Sequence, residues 1–374
     1  MKQQITRERP FEYMRRRNGA CFPAETVKDW YIARAFVLDR LKNVTIAPDA
    51  SEHLHFVVVG DSPVLLSVVR HLALYSHFVN YVERDCFGDL VCRNRTLVTL
   101  VSSMAADAVV AELQKEEYLC NLLQHCRYSV YGQVFNADAY LDIEFQVLAS
   151  EPSDCGDAIC IREENVDSFM SSANPDEVFS IDTRKAVLVS RVYELGSVID
   201  NLPAEDIHSA KRYMMALDTF QYTLLGKKFA PLVKEDKWNK NQLAVRNGLS
   251  NVFCSDCFET RARGIAQYAL THRIPELKAW EENNEALTCS EHNRWMVEKL
   301  IMGFRAPSVE ERLEYERLYA RKQAAYVKML KNNAADPVHV DLCSCLDLRR
   351  SDPDNLKYDS FLLLAIPLIL NKIP

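Results

Sequence analysis

The chain has 374 residues, enough for two or three domains, and its 48% hydrophobic and 26% charged content is that of a globular protein with a sizeable core, which excludes disorder. Its formal net charge of −7 argues against direct nucleic-acid binding, which needs a basic surface against phosphates. The negative charge is concentrated ahead of residue 289, so the nearly neutral C-terminal stretch is the better place for an anionic small ligand.

The first 50 residues read as helical and polar, with ETVKDWYIARAFVLDRLKNV at helical spacing. HLHFVVVGD, residues 53–61, predicts a buried parallel strand and its turn. SPVLLSVVRHLALYSHF predicts a helix with Ser62 as N-cap and Pro63 in the first turn. RTLVTLVSS over 95–103 reads as a second strand, MAADAVVAELQKEEYL as a second helix and YLDIEFQVLAS over 140–150 as a third strand. Strands alternating with helices at this spacing predict an α/β fold, a Rossmann-like parallel sheet with crossover helices.

Residues 151–178 read as irregular, and KAVLVSRVYEL as one more strand. From Pro203 onward the pattern is helical: first PAEDIHSAKRYMMALDTFQYTLL, then QLAVRNGLSNVFCSDCFETRARGIAQYAL. Capping boxes at Thr288-x-x-Glu291 and Ser308-x-x-Glu311 predict helices near 289–303 and 309–332. DPVHVDLCSCLDLRRSDPDN reads as loop, and KYDSFLLLAIPLIL as a helix bent or ended near Pro367. The expected organisation is an N-terminal helical segment (1–50), a Rossmann-like domain (51–200), a helical connecting region (201–288) and a mainly helical C-terminal domain (289–374). No internal repeat is evident.

The 12 cysteines have no regular spacing and the N-terminus is polar, so free thiols in a reducing cytoplasm are expected. The longest apolar run, Phe361–Leu370, is about half of the ~20 residues a spanning helix needs, so no membrane span is expected.

Two stretches offer ligand chemistry. In the turn VVVGDSPVLLS, Gly60 stands alone where a dinucleotide fold has three glycines. Asp61 puts negative charge near the phosphate position and Pro63 removes a donor. The turn is either a nucleotide fold that has lost its nucleotide, or an altered NAD(P) site using the amides after Gly60 with Ser62 and Ser102. In CSEHNRWMVEKLIMG, residues 292, 295, 299 and 303 share one helical stripe, placing His292, Trp295, Lys299 and Gly303 together. That stripe is either the decorated edge of a core helix or the wall of a ligand site. Cys254-x-x-Cys257 has no second pair to complete a zinc site, so no metal is assigned. No nucleophile elbow, Walker loop, H-E-x-x-H helix or paired-carboxylate signature is present, and no catalytic residue is assigned.

EHNRWMVEKLIMGFRAP, the long helix after it, HVDLCSCLDL and KYDSFLLLAIPLI together resemble the ryanodine-receptor repeat, the RyR domain, over about residues 289–374. The matching positions are His292, Trp295, Gly303, Phe304, Arg305, His339, Asp341 and Leu342. Val340 stands where that family usually has proline, and CSC replaces its Pro-Tyr region. HFVVVGD, YSHF, TLVTLVSS and LDIEF loosely resemble the TrkA-type nucleotide-binding domain that is fused to RyR domains in bacterial proteins. The resemblance implies a cytoplasmic sensor of a nucleotide-derived signal, in anti-phage or stress settings, compatible with a homo-oligomer. In it Trp295 would stack the ligand, with Arg305, Lys299 and His292 near phosphate, and His339 and Asp341 beside it, Asp341 orienting a base or ribose. Two other readings stand beside it: an NAD(P)-binding regulator or enzyme using the Gly60 turn, and a protein-interaction adaptor.

Overall fold

A computed structural model describes residues 27–92, 94–102, 120–153, 155–199, 245–320, 337–351 and 353–371. The second expected helix, over 104–119, and the segment from Pro203 to 244 lie outside the described residues.

Helix α1 (Val27–Leu41), with its apolar residues at the expected helical spacing, carries Trp30, Tyr31, Phe36 and Val37 into the core. Strand β1 (His55–Val59) leads through Gly60 into α2 (Pro63–Tyr75), which starts at Ser62 as predicted. A 3₁₀ turn (Val79–Tyr81) and an antiparallel hairpin, β2 (Val82–Arg84) and β3 (Leu90–Cys92), precede β4 (Thr96–Val101). After the short α3 (Cys120–Leu123) come β5 (Arg127–Val130), β6 (Gln133–Phe135), β7 (Ile143–Leu148) and β8 (Ile159–Ile161).

The main sheet has the order β6-β5-β7-β4-β1-β8. Pairing from β5 through β8 is parallel, and only β6 runs antiparallel to its neighbour. The β5–β6 hairpin turns on Tyr131 (φ 47°) and Gly132 (φ 87°). Positive φ at both central residues is the type I′ geometry that follows the strand twist. The α/β class is as expected, and the strands β5, β6 and β8 stand in the sheet beside β1, β4 and β7, the first three strands read from the sequence.

Three expectations are corrected. Residues 151–178, read as irregular, hold β8, α4 (Glu163–Ser172) and α5 (Pro175–Val178). KAVLVSRVYEL is not a strand but part of α6 (Arg184–Ile199): Ala186, Val189 and Val192 are buried at 3-residue steps, a helical period that its run of valines disguised. CLDLRRS forms α12 (Cys345–Ser351), opened by a Ser344 hydroxyl that accepts from the Asp347 amide at 3.0 Å. The remaining helices are α7 (Val245–Asp256), α8 (Phe258–His272), α9 (Glu276–Glu282), α10 (Asn284–Ile301), α11 (Val309–Ala320) and α13 (Pro353–Asn371), the last running through Pro367. None of the helices among the described residues is long and apolar enough to cross a membrane.

The main core joins α1, α2 and the sheet to Met296, Val297, Leu300 and Ile301 of α10. A second core gathers α6, α8, α9 and α13 around Leu287 of α10. A third, small cluster holds Cys289, Cys345 and Leu348. Helix α10 therefore contributes to all three. Cys289 and Cys345 are joined by a disulfide, which corrects the expectation of free thiols for this pair.

The N-terminal helix is fastened to α7 and α8 by polar bonds. Arg34 forms a two-pronged pair with Asp256 at 2.7–3.0 Å, and Tyr75 donates to the same carboxylate. Gly264 of α8 lies against the loop after α1: an added Cβ would sit 2.4 Å from the carbonyl oxygen of Ile46. Backbone cannot yield as a flexible side chain can. Gly264→Ala is therefore expected to lower stability by about 1–3 kcal/mol, read by urea unfolding, although alanine normally favours a helix over glycine.

Candidate functional site

The expected cap at Thr288 is absent, because α10 begins four residues earlier and the Thr288 hydroxyl donates back to the Asn284 carbonyl inside the helix. The Ser308 box is present: Ser308 N–H donates to Glu311 Oε2 at 2.8 Å, and the Glu311 amide returns to the Ser308 hydroxyl at 3.2 Å.

The end of α10 explains why a glycine, an aromatic and an arginine follow one another. Gly303 takes φ 80°, with its amide on the Leu300 carbonyl, and the Phe304 amide reaches the Lys299 carbonyl. These paired bonds make a Schellman stop, which favours glycine. Phe304 is then buried, and Arg305 pairs through its backbone with the 337–339 segment. That pairing carries His339 and Asp341 back to the helix.

The structure brings the six predicted ligand residues into one neighbourhood. His292 stacks on Trp295, with centroids 5.7 Å apart and planes at 19°. His339 meets Trp295 edge-on at 4.7 Å and Phe304 at 6.0 Å. Lys299 Nζ lies 5.7 Å from the Trp295 ring centre. The Asp341 amide reaches His339 Nδ1 at 3.4 Å, and Asp341 Oδ2 is 3.5 Å from that nitrogen. Arg305 makes a forked pair with Glu311 at 2.7 and 2.9 Å.

Their environments separate them. His292 is buried, its Nε2–H donates to the Cys343 carbonyl at 2.9 Å, and burial pushes its pKa down to about 4. It is a neutral ring at neutral pH and brings no charge to a phosphate. Lys299 is buried too and holds Glu298 at 2.6 Å. Trp295, Arg305 and Asp341 keep partial exposure, whereas every other residue from Leu287 through Met302 is buried.

Under this surface lies a buried ion network. Arg294 holds Glu291 and Glu298, each at 2.8 Å, and Arg261 of α8 reaches Glu291 at 2.6 Å. Ser250 of α7 donates to Glu298 at 3.0 Å. Burial alone would raise the Glu291 pKa, but Arg294 and Arg261 outweigh it and hold the carboxyl at about 2. Burial and the facing Glu291 push Asp359 of α13 well above the usual carboxyl range. Arg261 and Glu291 lie 30 residues apart, so no local spacing announced their contact.

The Gly60 turn is closed by its own sheet. The Gly60 amide donates to the Val101 carbonyl and the Ser102 amide to the Leu148 carbonyl, both at 3.0 Å. Ser102 is buried, and the Ser62 hydroxyl makes no cap bond. Gly60 itself is required by φ 123° and by Leu65, which an added Cβ would meet at 2.9 Å. Packing therefore accounts for Gly60, and the Gly60 and Ser102 amides serve the sheet.

Cys254 and Cys257 are buried thiols. Burial drives both pKa values up, that of Cys257 to about 12, which opposes the thiolate form that zinc requires. A cleft of about 200 Å³ lies elsewhere, between α1 and α8. Its main charges are already paired, Arg34 with Asp256 and Lys185 with Glu259.

Two outcomes follow. Arg294→Ala leaves two buried carboxylates short of a cation and is expected to cost about 3–5 kcal/mol in urea unfolding, whereas Arg184→Ala, which breaks an exposed pair with Asp182, costs under about 1 kcal/mol. Stability is also expected to fall in acid. His292 and His71, held by burial at about 4 and about 3, stay neutral in the folded chain while the unfolded chain takes up protons below 6.5. The contribution of these two histidines is therefore complete above about pH 6.5 and declines towards pH 4, Glu291 adds to the loss below its ordinary 4.5, and Asp359, raised by burial, works in the opposite direction. Urea midpoints across that range check the sign.

No protein-family model, characterised protein or solved structure matches the chain.

Proposed function

We propose that the chain is a ligand-sensing regulatory protein rather than an enzyme, and that Trp295 is the floor of its site for a nucleotide-derived small molecule. The observation that carries this reading is the exposure pattern of α10. Across a helix otherwise buried from Leu287 to Met302, the one side chain that keeps access to solvent is its largest aromatic ring. Core packing would favour the reverse, because an indole gains more from burial than the Arg294 or Glu298 chains that are fully enclosed.

Around the ring, the half-exposed groups are suited to such a ligand. A base can stack on the indole face. Arg305 presents a guanidinium that can exchange Glu311 for a phosphate, in the same forked geometry. Asp341 offers hydrogen bonds to a base edge or ribose, with the buried His339 behind it. His292 and Lys299 take a supporting role instead of contacting phosphate: one braces the ring from its stacked side, the other ties it to Glu298. In this reading the parallel sheet serves as scaffold. The resemblance of residues 289–374 to the RyR repeat, and the looser one of the N-terminal part to the TrkA-type domain, also motivates this reading, in which the protein would act in the bacterial cytoplasm. A reducing compartment would require the Cys289–Cys345 bond to be protected by its burial or to cycle with redox state.

The test is a thermal-shift screen of the intact protein against mono-, di- and cyclic nucleotides and NAD(P)(H), repeated with Trp295→Ala and Arg305→Gln. A ligand at about 100 times its Kd stabilises the folded state by about 2.7 kcal/mol. The expected result is a rise in Tm that Trp295→Ala abolishes and that Arg305→Gln reduces for phosphorylated ligands only. A rise that survives Trp295→Ala would move the site to the Gly60 turn. No rise from a stably folded protein would overturn the sensor reading in favour of an adaptor.

A further inference from the structure

The connection between β7 and β8 carries a second cluster, unrelated to Trp295. Ligand atoms of Glu151, Cys155 and Cys160 all lie within 4.8 Å of one another. We propose that these three residues form a site for a borderline-soft divalent cation of the zinc type, which pins the β7–β8 connection to the edge of the sheet.

Each member is held from a different direction. Cys160 sits in β8, where it pairs with Val57 of β1. Cys155 is folded back by a tight turn in which Gly156 takes φ 51° and the Ala158 amide reaches the Cys155 carbonyl at 2.9 Å. Glu151 follows β7 by three residues, and Arg162 donates to its Oε1 from the far end of β8. That leaves Oε2 as the oxygen to offer a cation. The turn at Gly156 is what brings Cys155 within reach of Cys160, so the C-x₄-C spacing works here through a loop and not along a helix.

The donor set matches zinc chemistry. Two thiolates and a carboxylate supply three of four tetrahedral positions, and water takes the last. Sulfur ligands at about 2.3 Å from the ion stand roughly 3.8 Å apart, so the present arrangement needs to close by at most about 1 Å. Binding converts two thiols to thiolates and releases two protons to solvent. The resulting three negative charges are balanced by the divalent ion and Arg162. Both cysteines are partly exposed, unlike Cys254 and Cys257, so a metal can reach them. The gain is mechanical: β8 is a three-residue edge strand joined to β7 by ten residues that must pass β4 and β1, and such a strand needs a tether.

Titration of the reduced full chain with Co²⁺ under anaerobic conditions, followed by Zn²⁺, tests the proposal. The expected result is one equivalent bound, with thiolate-to-cobalt charge transfer and tetrahedral d–d bands that zinc abolishes. Cys155→Ser/Cys160→Ser loses these bands. Glu151→Gln, a change at an exposed residue, keeps the thiolate band and weakens binding on the order of tenfold or more, the loss that even an outer partner of a metal site causes. Absence of the bands in the wild-type chain overturns the proposal, and so does their persistence in the double variant, which would place the metal on other cysteines.

Discussion

The buried ion network of α10 is the constraint on which the rest of the structure depends. Arg294, Glu291 and Glu298 are fully enclosed, and Arg261 nearly so. Charges in such surroundings are tolerable only when each has its partner in place, because removal from water costs several kcal/mol per ion. Arg294 therefore fixes the helix against α8 through the shared Glu291, and Ser250 fixes it against α7 through Glu298. A hydrophobic interface at this junction could slide or rotate. A network of paired charges favours one register.

That register decides what the other faces of α10 do. With positions 291, 294 and 298 committed to the ion network, Met296, Val297, Leu300 and Ile301 enter the main core. Leu287 enters the second core, and Cys289 meets Cys345 in the third. Trp295 is left at the one angle that opens outwards. The Schellman stop at Gly303 then directs Arg305 into backbone pairing with the 337–339 segment, which returns His339 to the same indole with Asp341 beside it. The rigid helix and the returning segment supply the preorganisation that a recognition site needs. Binding at Trp295 would be felt first at His292 and Lys299, and through Glu298 by the network itself. This is a short physical route from a surface ring to the junction of three cores.

Much of this architecture was legible in the residues. The β1–Gly60–α2 unit declared itself through a β-branched run, a glycine and a Ser-Pro start, and the stripe of His292, Trp295 and Lys299 followed from helical spacing alone. What escaped had physical causes. Helix α6 hid behind valines whose β preference was overridden by tertiary packing. The β5–β6 turn uses Tyr131-Gly132 where an Asn-Gly pair would have signalled a hairpin, and Tyr131 accepts a positive φ that its type rarely adopts. Thr288 carried a capping pattern inside a helix that had already begun, so its hydroxyl turned to Asn284 instead. The role of His292 depended on its bond to the Cys343 carbonyl, and the ion network beneath on Arg261, both far away in sequence. The disulfide between Cys289 and Cys345 was unreadable for the same reason, since twelve scattered cysteines specify no pairing.

The central claim is that a helix locked by buried charges holds Trp295, and no other residue of its buried span, at a surface open to ligand. ¹⁹F NMR of the chain labelled with fluorotryptophan tests it most directly, with Trp295 assigned by its loss in Trp295→Phe. Trp30 and Trp280 are fully buried, and Trp238 lies outside the described residues. The account predicts that the Trp295 resonance shows a solvent isotope shift in D₂O and moves on titration with a nucleotide panel, while those of Trp30 and Trp280 do neither. A Trp295 resonance that is insensitive to solvent and to every nucleotide would contradict it, and would make α10 a core helix and nothing more.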